Sequence, residues 1–166
     1  MLKEKIKRLS ELIKIREELK EKGKKVVFTN GVFDLLHRGH VEYLAAARTQ
    51  GDFLIIGLNS DDSVKRIKGM LRPIVKQEDR AMVLAGLSSV DYICYFNEKT
   101  PFIIINRLLP DVLVKGGDYE LDEIVGRDIV ENSGGKVITI PITKGMSTSN
   151  LIKKIEEIVK YEENTK

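Results

Sequence analysis

The chain has 166 residues, 42% hydrophobic and 32% charged, an ordinary globular composition that excludes a mostly disordered or collagen-like protein. A chain of this length suits one domain with one hydrophobic core. The formal net charge is only +3, and lysines and glutamates are interspersed, so the composition gives little support for nucleic acid binding.

The compartment is indicated by what the sequence lacks. No apolar stretch approaches the roughly 18 residues that a membrane helix needs, and the N-terminus has no apolar centre of a signal peptide. The single cysteine, Cys94, lies in an apolar run, where a buried inert thiol is expected. We therefore expect a soluble cytoplasmic protein without membrane partners.

Residues 1–22 have a helical hydrophobic spacing, with charged residues on the remaining face. Gly23 is a typical helix terminator. We predict an N-terminal amphipathic helix over 1–23 that packs on the core or on a second subunit, as in a homodimer. The apolar positions are Leu2, Ile6, Leu9, Leu12, Ile13, Ile15 and Leu19.

From Lys25 onward, short β-branched runs alternate with helical stretches, which predicts an α/β domain over 24–166. The expected fold is a Rossmann-like five-stranded parallel sheet with helices on both faces. The predicted strands are 26–29, 53–58, 92–96, 112–115 and 137–140, and the predicted helices are 38–50, 77–87, 100–109, 121–133 and 148–161.

Ligands of such sheets bind beyond the carboxyl ends of the strands. The site is therefore expected in the loops 30–40, 59–72, 116–126 and 141–148, which carry the polar and glycine-rich sequence.

Both histidines of the chain, His37 and His40, lie in the first of these loops. Their spacing of three places them on one side of a helical turn, and Gly39 allows a ligand to approach the backbone. Helix N-terminal amides and imidazoles together suit a phosphate clamp. A pair of structural histidines is an alternative. Two histidines with Asp34 as the only close carboxylate make a poor zinc site, so we predict no protein-held metal.

The segment His37-Arg38-Gly39-His40 resembles the HxGH signature of the cytidylyltransferase-like nucleotidyltransferases. A second segment, Gly145–Ser149, resembles the loop with which that superfamily grips the triphosphate. The resemblance implies that Ser147, Thr148 and Ser149 bind the nucleotide. Independently, Ser147 has the position of a helix N-cap, a role compatible with phosphate binding.

Further segments resemble one branch, the D-glycero-β-D-manno-heptose 1-phosphate adenylyltransferases, over residues 24–158. This resemblance implies transfer of AMP from ATP to the sugar phosphate, giving ADP-heptose and pyrophosphate for the lipopolysaccharide core. Members are often fused to a sugar kinase, and the kinase half is absent from this sequence, so the resemblance implies a stand-alone enzyme with a separate heptose kinase. The segments are Gly51–Asp52, Gly57–Asp61, Arg72–Ile74, Asp79–Ala81 and Pro110–Tyr119.

The expected reaction is in-line attack by the sugar phosphate on the α-phosphorus of ATP, without a covalent enzyme intermediate. His37 and His40 would stabilise charge on the transferred group, and Lys115 closes the fourth strand at the same rim. Lys68 and Arg72 could offset repulsion between the anionic substrates, although solvated surface charge is an alternative.

The remaining expected contacts concern the nucleotide. Its expected partners in the first loop are Asn30, Gly31, Val32 and Phe33, together with Gly39. In the loop 116–126 they are Gly117 and Asp118, where Asp118 could instead be a turn residue. For Asp34, we expect that its carboxylate orients a histidine. Mg²⁺ is expected to arrive bound to ATP.

Three other functions remain open on the sequence alone. The acceptor or nucleotide could differ, as in glycerol 3-phosphate cytidylyltransferases, and flavin adenylylation is a further possibility. A non-catalytic nucleotide-binding module is a third, from a different class of protein.

Overall fold

The computed structural model describes residues 1–117, 119–143, 145 and 147–165. In this part of the chain, five parallel strands form one sheet in the order β3-β2-β1-β4-β5. The prediction of a five-stranded parallel sheet is confirmed. The strands are β1 (Val26–Gly31), β2 (Phe53–Asn59), β3 (Tyr92–Phe96), β4 (Val112–Gly116) and β5 (Lys136–Ile140).

The helices connect the strands as crossovers. They are α1 (Leu9–Glu21), α2 (Arg38–Arg48), α3 (Asp61–Lys68), α4 (Gln77–Ala85), α5 (Phe102–Leu108), α6 (Arg127–Asn132) and α7 (Thr148–Asn164), with short 3₁₀ turns at Leu2–Lys5 and Leu121–Glu123. No helix within the described ranges is long and apolar enough to cross a membrane.

The sheet is covered on both faces, as predicted, because successive side chains of a strand point in opposite directions. Val27 of β1 packs into a core cluster with residues of α2 and α4, including Leu44 and Leu84. The next residue, Phe28, packs into a second cluster that includes Leu12 of α1 and Ile105 of α5. Continuous apolar strands such as β2 follow from this two-sided burial.

The prediction of one continuous N-terminal helix over 1–23 is wrong. Ile6 forms a parallel bridge with Ile93, and the Lys7 amide donates a 2.8 Å hydrogen bond to the Ile93 carbonyl. β3 is an edge strand, so its free backbone groups compete with helix formation at this point. The chain is extended at Arg8, and α1 begins at Leu9.

α1 packs on the protein's own core. Leu12 and Leu19 are buried in it, and Arg16 donates a 2.9 Å hydrogen bond to the Asp111 carboxylate. The apolar face of α1 is therefore occupied within the same chain. Gly23 follows with φ of 66°, the left-handed conformation that ends the helix as predicted.

Two further boundaries differ from the prediction. α3 lies in the segment 59–72 that was expected to be a loop, because the Ser60 hydroxyl accepts a 3.1 Å hydrogen bond from the Ser63 amide and caps the helix. The predicted helix 121–133 is divided into a 3₁₀ turn and α6. Gly126, with φ of 85°, interrupts it.

Candidate active site

From β1 the chain adds β2 and β3 on one side of the sheet, and it then adds β4 and β5 on the other side. The crossover helices that follow β1 and β4 therefore lie on opposite faces of the sheet. Such a switch point opens a crevice at the carboxyl ends of the strands. A cavity of about 370 Å³ lies there. The structure brings ten of the predicted site residues to its wall: Asn30, Gly31, Val32, Phe33, His37, Gly39, His40, Lys115, Ser147 and Thr148.

A second cavity of about 260 Å³ shares Val32, Phe33, His40 and Thr148 with the first. The predicted residues Lys68, Arg72 and Ser149 line this second cavity, so they lie next to the histidines although they do not line the main one.

The two histidines are stacked at the start of α2. Their ring centroids are 3.9 Å apart with an interplanar angle of 29°, and the His40 ring also packs edge-on against Phe33 at 5.3 Å. His37 is the N-cap residue of α2, and His40 lies in its first turn. The pair therefore sits where the helix presents its free amides, which favours an anion.

Burial sets the protonation of these rings. It lowers the pKa of His40 to about 4, with a further contribution from His37, and it lowers the pKa of His37 as well. Both Nδ1 atoms are buried without a hydrogen-bond partner among the described residues. Two neutral imidazoles with unused hydrogen-bonding capacity thus face the cavity.

Asp34 does not orient a histidine, contrary to expectation. Its carboxylate accepts hydrogen bonds from Arg72 Nε at 2.7 Å and from the amides of Ile74 and Val75 at 2.8 and 2.9 Å. Burial raises the pKa of Asp34, but the amides of Val75 and Ile74 and the Arg72 guanidinium outweigh burial and hold this pKa below its usual range. Asp34 therefore holds the segment after α3 against the loop that follows β1.

The ion pair with Asp34 holds Arg72 in a half-buried position at the second cavity, whereas Lys68 is exposed on the rim of that cavity. Arg80, which is only 1% exposed, supports the same region. Its guanidinium donates to the carbonyls of Val32 and Val75 and to the Asp61 carboxylate, so it joins three segments around the site.

Lys115, at the end of β4, donates a hydrogen bond to the Asn30 side-chain oxygen at the end of β1. These strands are neighbours in the sheet, which explains the contact. Burial lowers the pKa of Lys115 to about 8. The ammonium group is consequently desolvated and its charge weakly compensated, a condition that favours an anionic ligand.

The loop after β1 has a constrained backbone. Phe33 has φ of 48°, a left-handed conformation that is uncommon for a large side chain and that tends to occur at functional sites. A Cβ atom at Gly31 would lie 2.9 Å from Cε2 of Phe33, so any larger residue here would force the Phe33 ring to move.

The residues Ser147 and Thr148, predicted to bind the triphosphate, lie against the loop that follows β1. The Ser147 hydroxyl accepts a 3.1 Å hydrogen bond from the Asn150 amide, which confirms Ser147 as the N-cap of α7. The Thr148 hydroxyl donates to the Leu35 carbonyl at 3.3 Å. Gly117, with φ of 104°, follows β4 without lining either cavity described above. Asp118 lies outside the described residues.

Sequence reasoning missed several residues of the main cavity, namely Tyr43, Asn59, Ile67, Lys99, Tyr119 and Ile142. Asn59 carried a signal, since it is a polar residue ending a buried strand and is itself buried. Tyr43 is inside a helix, and its hydroxyl contacts Thr29 at 2.7 Å. No local pattern marks Lys99. Among the described residues, no group of three His, Cys, Asp or Glu side chains could hold a metal ion.

Comparison with known proteins identifies relatives of this chain. The bifunctional protein HldE of Geobacter sulfurreducens is 54% identical over 151 residues, which make up 91% of this chain and 31% of that protein. The bifunctional protein HldE of Wolinella succinogenes is 55% identical over 143 residues, 86% of this chain and 29% of that protein. The chain thus spans about three tenths of the length of these curated relatives.

Solved structures share the fold. The lipopolysaccharide core biosynthesis protein from Thermoplasma volcanium GSS1 has a TM-score of 0.60 at 29% identity, covering 75% of this chain and 100% of that one. Pantoate-beta-alanine ligase from Francisella tularensis, with a TM-score of 0.61 at 17% identity, covers 93% of this chain and 78% of that one and shows the fold alone.

The family of this chain is identified by a protein-family sequence model. The cytidylyltransferase-like model matches residues 28–154, a range that contains both histidines, Lys115 and the start of α7. The chain therefore belongs to the cytidylyltransferase-like family of nucleotidyltransferases.

Proposed function

We propose that this protein is an adenylyltransferase that transfers AMP from ATP to D-glycero-β-D-manno-heptose 1-phosphate, giving ADP-heptose and pyrophosphate. The observation that carries the proposal is the stacked, neutral pair His37 and His40 at the N-terminus of α2, facing a cavity at the switch point. The identity to HldE proteins and the likeness to a lipopolysaccharide core biosynthesis protein support this substrate class.

The proposed reaction needs no nucleophilic side chain. An oxygen of the sugar phosphate attacks the α-phosphorus of ATP, the bond from that phosphorus to the bridging oxygen breaks, and pyrophosphate leaves with that oxygen. The imidazole N–H groups of His37 and His40 donate hydrogen bonds to the oxygens on which charge develops. Lys115 offsets negative charge from the β4 side. Mg²⁺ would be carried by the ATP oxygens, where it would help to neutralise the triphosphate.

The two ends of the main cavity differ in chemistry. The β4 and β5 end is lined by Gly116, Tyr119 and Ile142, an apolar and aromatic surface that suits a base. The opposite end, near β2 and β3, is lined by Asn59 and Lys99. We assign the nucleotide to the first end and the sugar phosphate to the second, with the histidines between them.

The flanking residues complete this assignment. The backbone from Asn30 to Phe33, Gly39 and Gly117, with Asp118, would border the nucleotide, and Ser147, Thr148 and Ser149 the triphosphate. Lys68 and Arg72 in the adjoining cavity would offset repulsion between the two anionic substrates. A cytoplasmic homodimer supplied with sugar 1-phosphate by a separate heptose kinase is part of the same proposal.

The test is pyrophosphate release from ATP or CTP with a panel of sugar 1-phosphates and glycerol 3-phosphate. We expect release that requires ATP and the heptose 1-phosphate. His37→Ala and His40→Ala should each lower kcat about 10²- to 10³-fold, the typical loss for a donor that stabilises developing charge. Glu17→Ala, a change at an exposed position of α1, serves as the matched control and should leave the rate unchanged.

Preference for CTP with glycerol 3-phosphate would replace the proposal by the cytidylyltransferase alternative. Nucleotide binding without turnover for any acceptor would indicate a binding module. Full activity in both histidine variants would refute the assigned role of the pair.

A further inference from the structure

Asn59 is the last residue of β2, and it lines the main cavity although it is only 3% exposed. A buried polar side chain needs hydrogen-bond partners, and an asparagine amide offers two N–H donors and an acceptor oxygen. Within the described part of the chain, this side chain makes one hydrogen bond, from Nδ2 to the Ser63 hydroxyl at 3.0 Å. Most of its hydrogen-bonding capacity is therefore left for a ligand.

The contacts of Ser63 determine which end of the Asn59 amide faces away from it. The Ser63 hydroxyl has one proton, and it donates that proton to the Glu98 carbonyl oxygen at 2.7 Å. A carbonyl has no proton of its own, so the direction of this bond is fixed. The hydroxyl can then only accept from Asn59, and the amide must present its NH₂ group to Ser63. The amide oxygen, Oδ1, consequently points away from Ser63.

This amide oxygen is open to the cavity. Oδ1 of Asn59 accepts no hydrogen bond from the described residues, yet it is not among their fully buried polar atoms that lack a partner. It is therefore accessible, and the cavity is the space that Asn59 lines. An acceptor oxygen held in one orientation selects a ligand that brings a donor to it, such as a hydroxyl group.

The same network carries Lys99 to this end of the cavity. The Glu98 carbonyl that Ser63 holds belongs to the peptide bond before Lys99. The side-chain oxygen of Asn97 is held as well, because it accepts a 2.6 Å hydrogen bond from the Ser60 hydroxyl. The start of α3 thus fixes the backbone on both sides of Glu98, and Lys99 lines the cavity from there.

An acceptor oxygen and an ammonium group at one end of a cavity match a ligand that carries hydroxyl groups together with a phosphate. A nucleotide also has hydroxyl groups, on its ribose. The surface that suits its base, however, lies at the opposite end of the cavity, at Tyr119 and Ile142. The sugar phosphate is therefore the substrate that fits the end with Asn59.

We propose that Asn59 determines specificity by accepting a hydrogen bond from a hydroxyl group of the acceptor sugar. Ser63 is the positioning residue that holds the Asn59 amide in the required orientation. This inference rests on the proposed function, since it assigns one contact of the sugar phosphate in that reaction. An acceptor without the hydroxyl group leaves Oδ1 unpaired in a buried site, and the site rejects it for that reason.

Deoxygenated substrates test this contact. Pyrophosphate release is measured with heptose 1-phosphate and with analogues that each lack one hydroxyl group. In the wild type, one analogue should lose about tenfold or more in kcat/KM, because it leaves Oδ1 of Asn59 unpaired. Asn59→Ala should raise KM for the parent sugar phosphate about tenfold, leave KM for ATP unchanged, and use that analogue and the parent to within about twofold of each other.

Ser63→Ala tests the positioning role. It keeps Asn59 but lets the amide turn its NH₂ group to the cavity, so the preference for the parent over the analogue should shrink. A purely structural role would lower both rates alike, and an unchanged ratio would overturn the role of Ser63. Asn106→Ala, at an exposed position of α5, is the matched control for Asn59→Ala and should leave both KM values unchanged.

The outcomes separate this inference from the proposed function. Turnover of the heptose 1-phosphate with a KM that Asn59→Ala leaves unchanged would overturn the inference alone. So would a rise confined to KM for ATP, which would place Asn59 on the nucleotide. Preference for glycerol 3-phosphate would overturn the heptose assignment, whereas a higher KM for that acceptor in Asn59→Ala would still support a hydroxyl contact.

The wild-type series decides the matter even if Asn59→Ala does not fold. Equal kcat/KM for the parent and every analogue would overturn the inference. A protein that turns over none of these acceptors would overturn both the inference and the proposed function.

Discussion

The Asp34 carboxylate accepts a 2.7 Å hydrogen bond from Arg72 Nε, although the two residues are 38 positions apart in the chain. The same carboxylate holds the amides of Ile74 and Val75. This contact joins the loop that carries the histidines to the segment after α3, and it places Arg72 at the cavity beside His40.

Removing the carboxylate should destabilise the fold. The Asp34 side chain is 1% exposed and Arg72 21%, so Asp34→Ala leaves a partly buried guanidinium and two amides unpaired. We expect a loss of about 3 kcal/mol in the free energy of unfolding, the lower end for breaking a buried ion pair. Chemical denaturation measures it.

Asp62→Ala is the control for this experiment. Its side chain is 71% exposed and, within the described part of the chain, pairs only with Lys65, so its loss should cost less than about 1 kcal/mol. An Asp34→Ala variant as stable as Asp62→Ala would contradict the conclusion that Asp34 holds these two segments together.

The histidines should make the protein sensitive to mild acid. Burial lowers the pKa of His40 from 6.5 to about 4, so between these values the unfolded chain binds more protons than the folded one. Stability must then fall as pH drops from 6.5 toward 4, by at most about 3 kcal/mol from this group. Urea denaturation at several pH values measures the slope.

His40→Gln removes one titrating ring and should make the profile shallower in this window, with the remaining slope from His37, whose pKa is also lowered by burial. The lowered pKa of Asp34 acts separately, because its contribution is lost only below about pH 4. A wild-type profile that is level between pH 6.5 and 4 would show that His40 is not desolvated.

Lys115 should make nucleotide affinity depend on alkaline pH. Burial lowers the pKa of Lys115 to about 8, so the free protein loses this positive charge as pH rises from 7 to 9. Because the charged form attracts phosphate, we expect the association constant for Mg-ATP to fall across this range. Isothermal titration calorimetry measures it.

Lys115→Met, which keeps the apolar stem without the charge, should bind more weakly and show no such decline. A parallel decline in wild type and variant would assign the pH dependence to another group.

Lys99 provides a test of how the cavity is divided. It lines the end near β2 and β3, where we assign the sugar phosphate. Lys99→Ala should raise KM for the sugar phosphate severalfold and leave KM for ATP unchanged. Initial rates with each substrate varied in turn separate the two effects, and a higher KM for ATP alone would reverse the assignment.

Lys160→Ala, at an exposed position of α7 away from both cavities, is the matched control for the Lys99 variant. It changes the same charge without touching the cavity, and it should leave both KM values as in the wild type.

Much of the fold was determined by local pattern. Runs such as Phe53–Leu58 are short and apolar and include two isoleucines, which is typical of a strand buried on both faces. The sequence likewise predicted the pair His37 and His40 and the helix cap Ser147, because each is defined by residues only a few positions apart. These features were predictable because one helical turn or one strand defines them.

Contacts between distant segments were decided only by tertiary structure. The bridge from Ile6 to Ile93 broke the predicted N-terminal helix, and Asp34 bound Arg72 in place of a histidine. Lys99 follows β3 and reached the cavity because the carboxyl ends of β3, β1 and β4 lie on the same side of the parallel sheet. Such pairings depend on strand order and on which crossover covers which face, and no local spacing of residues encodes them.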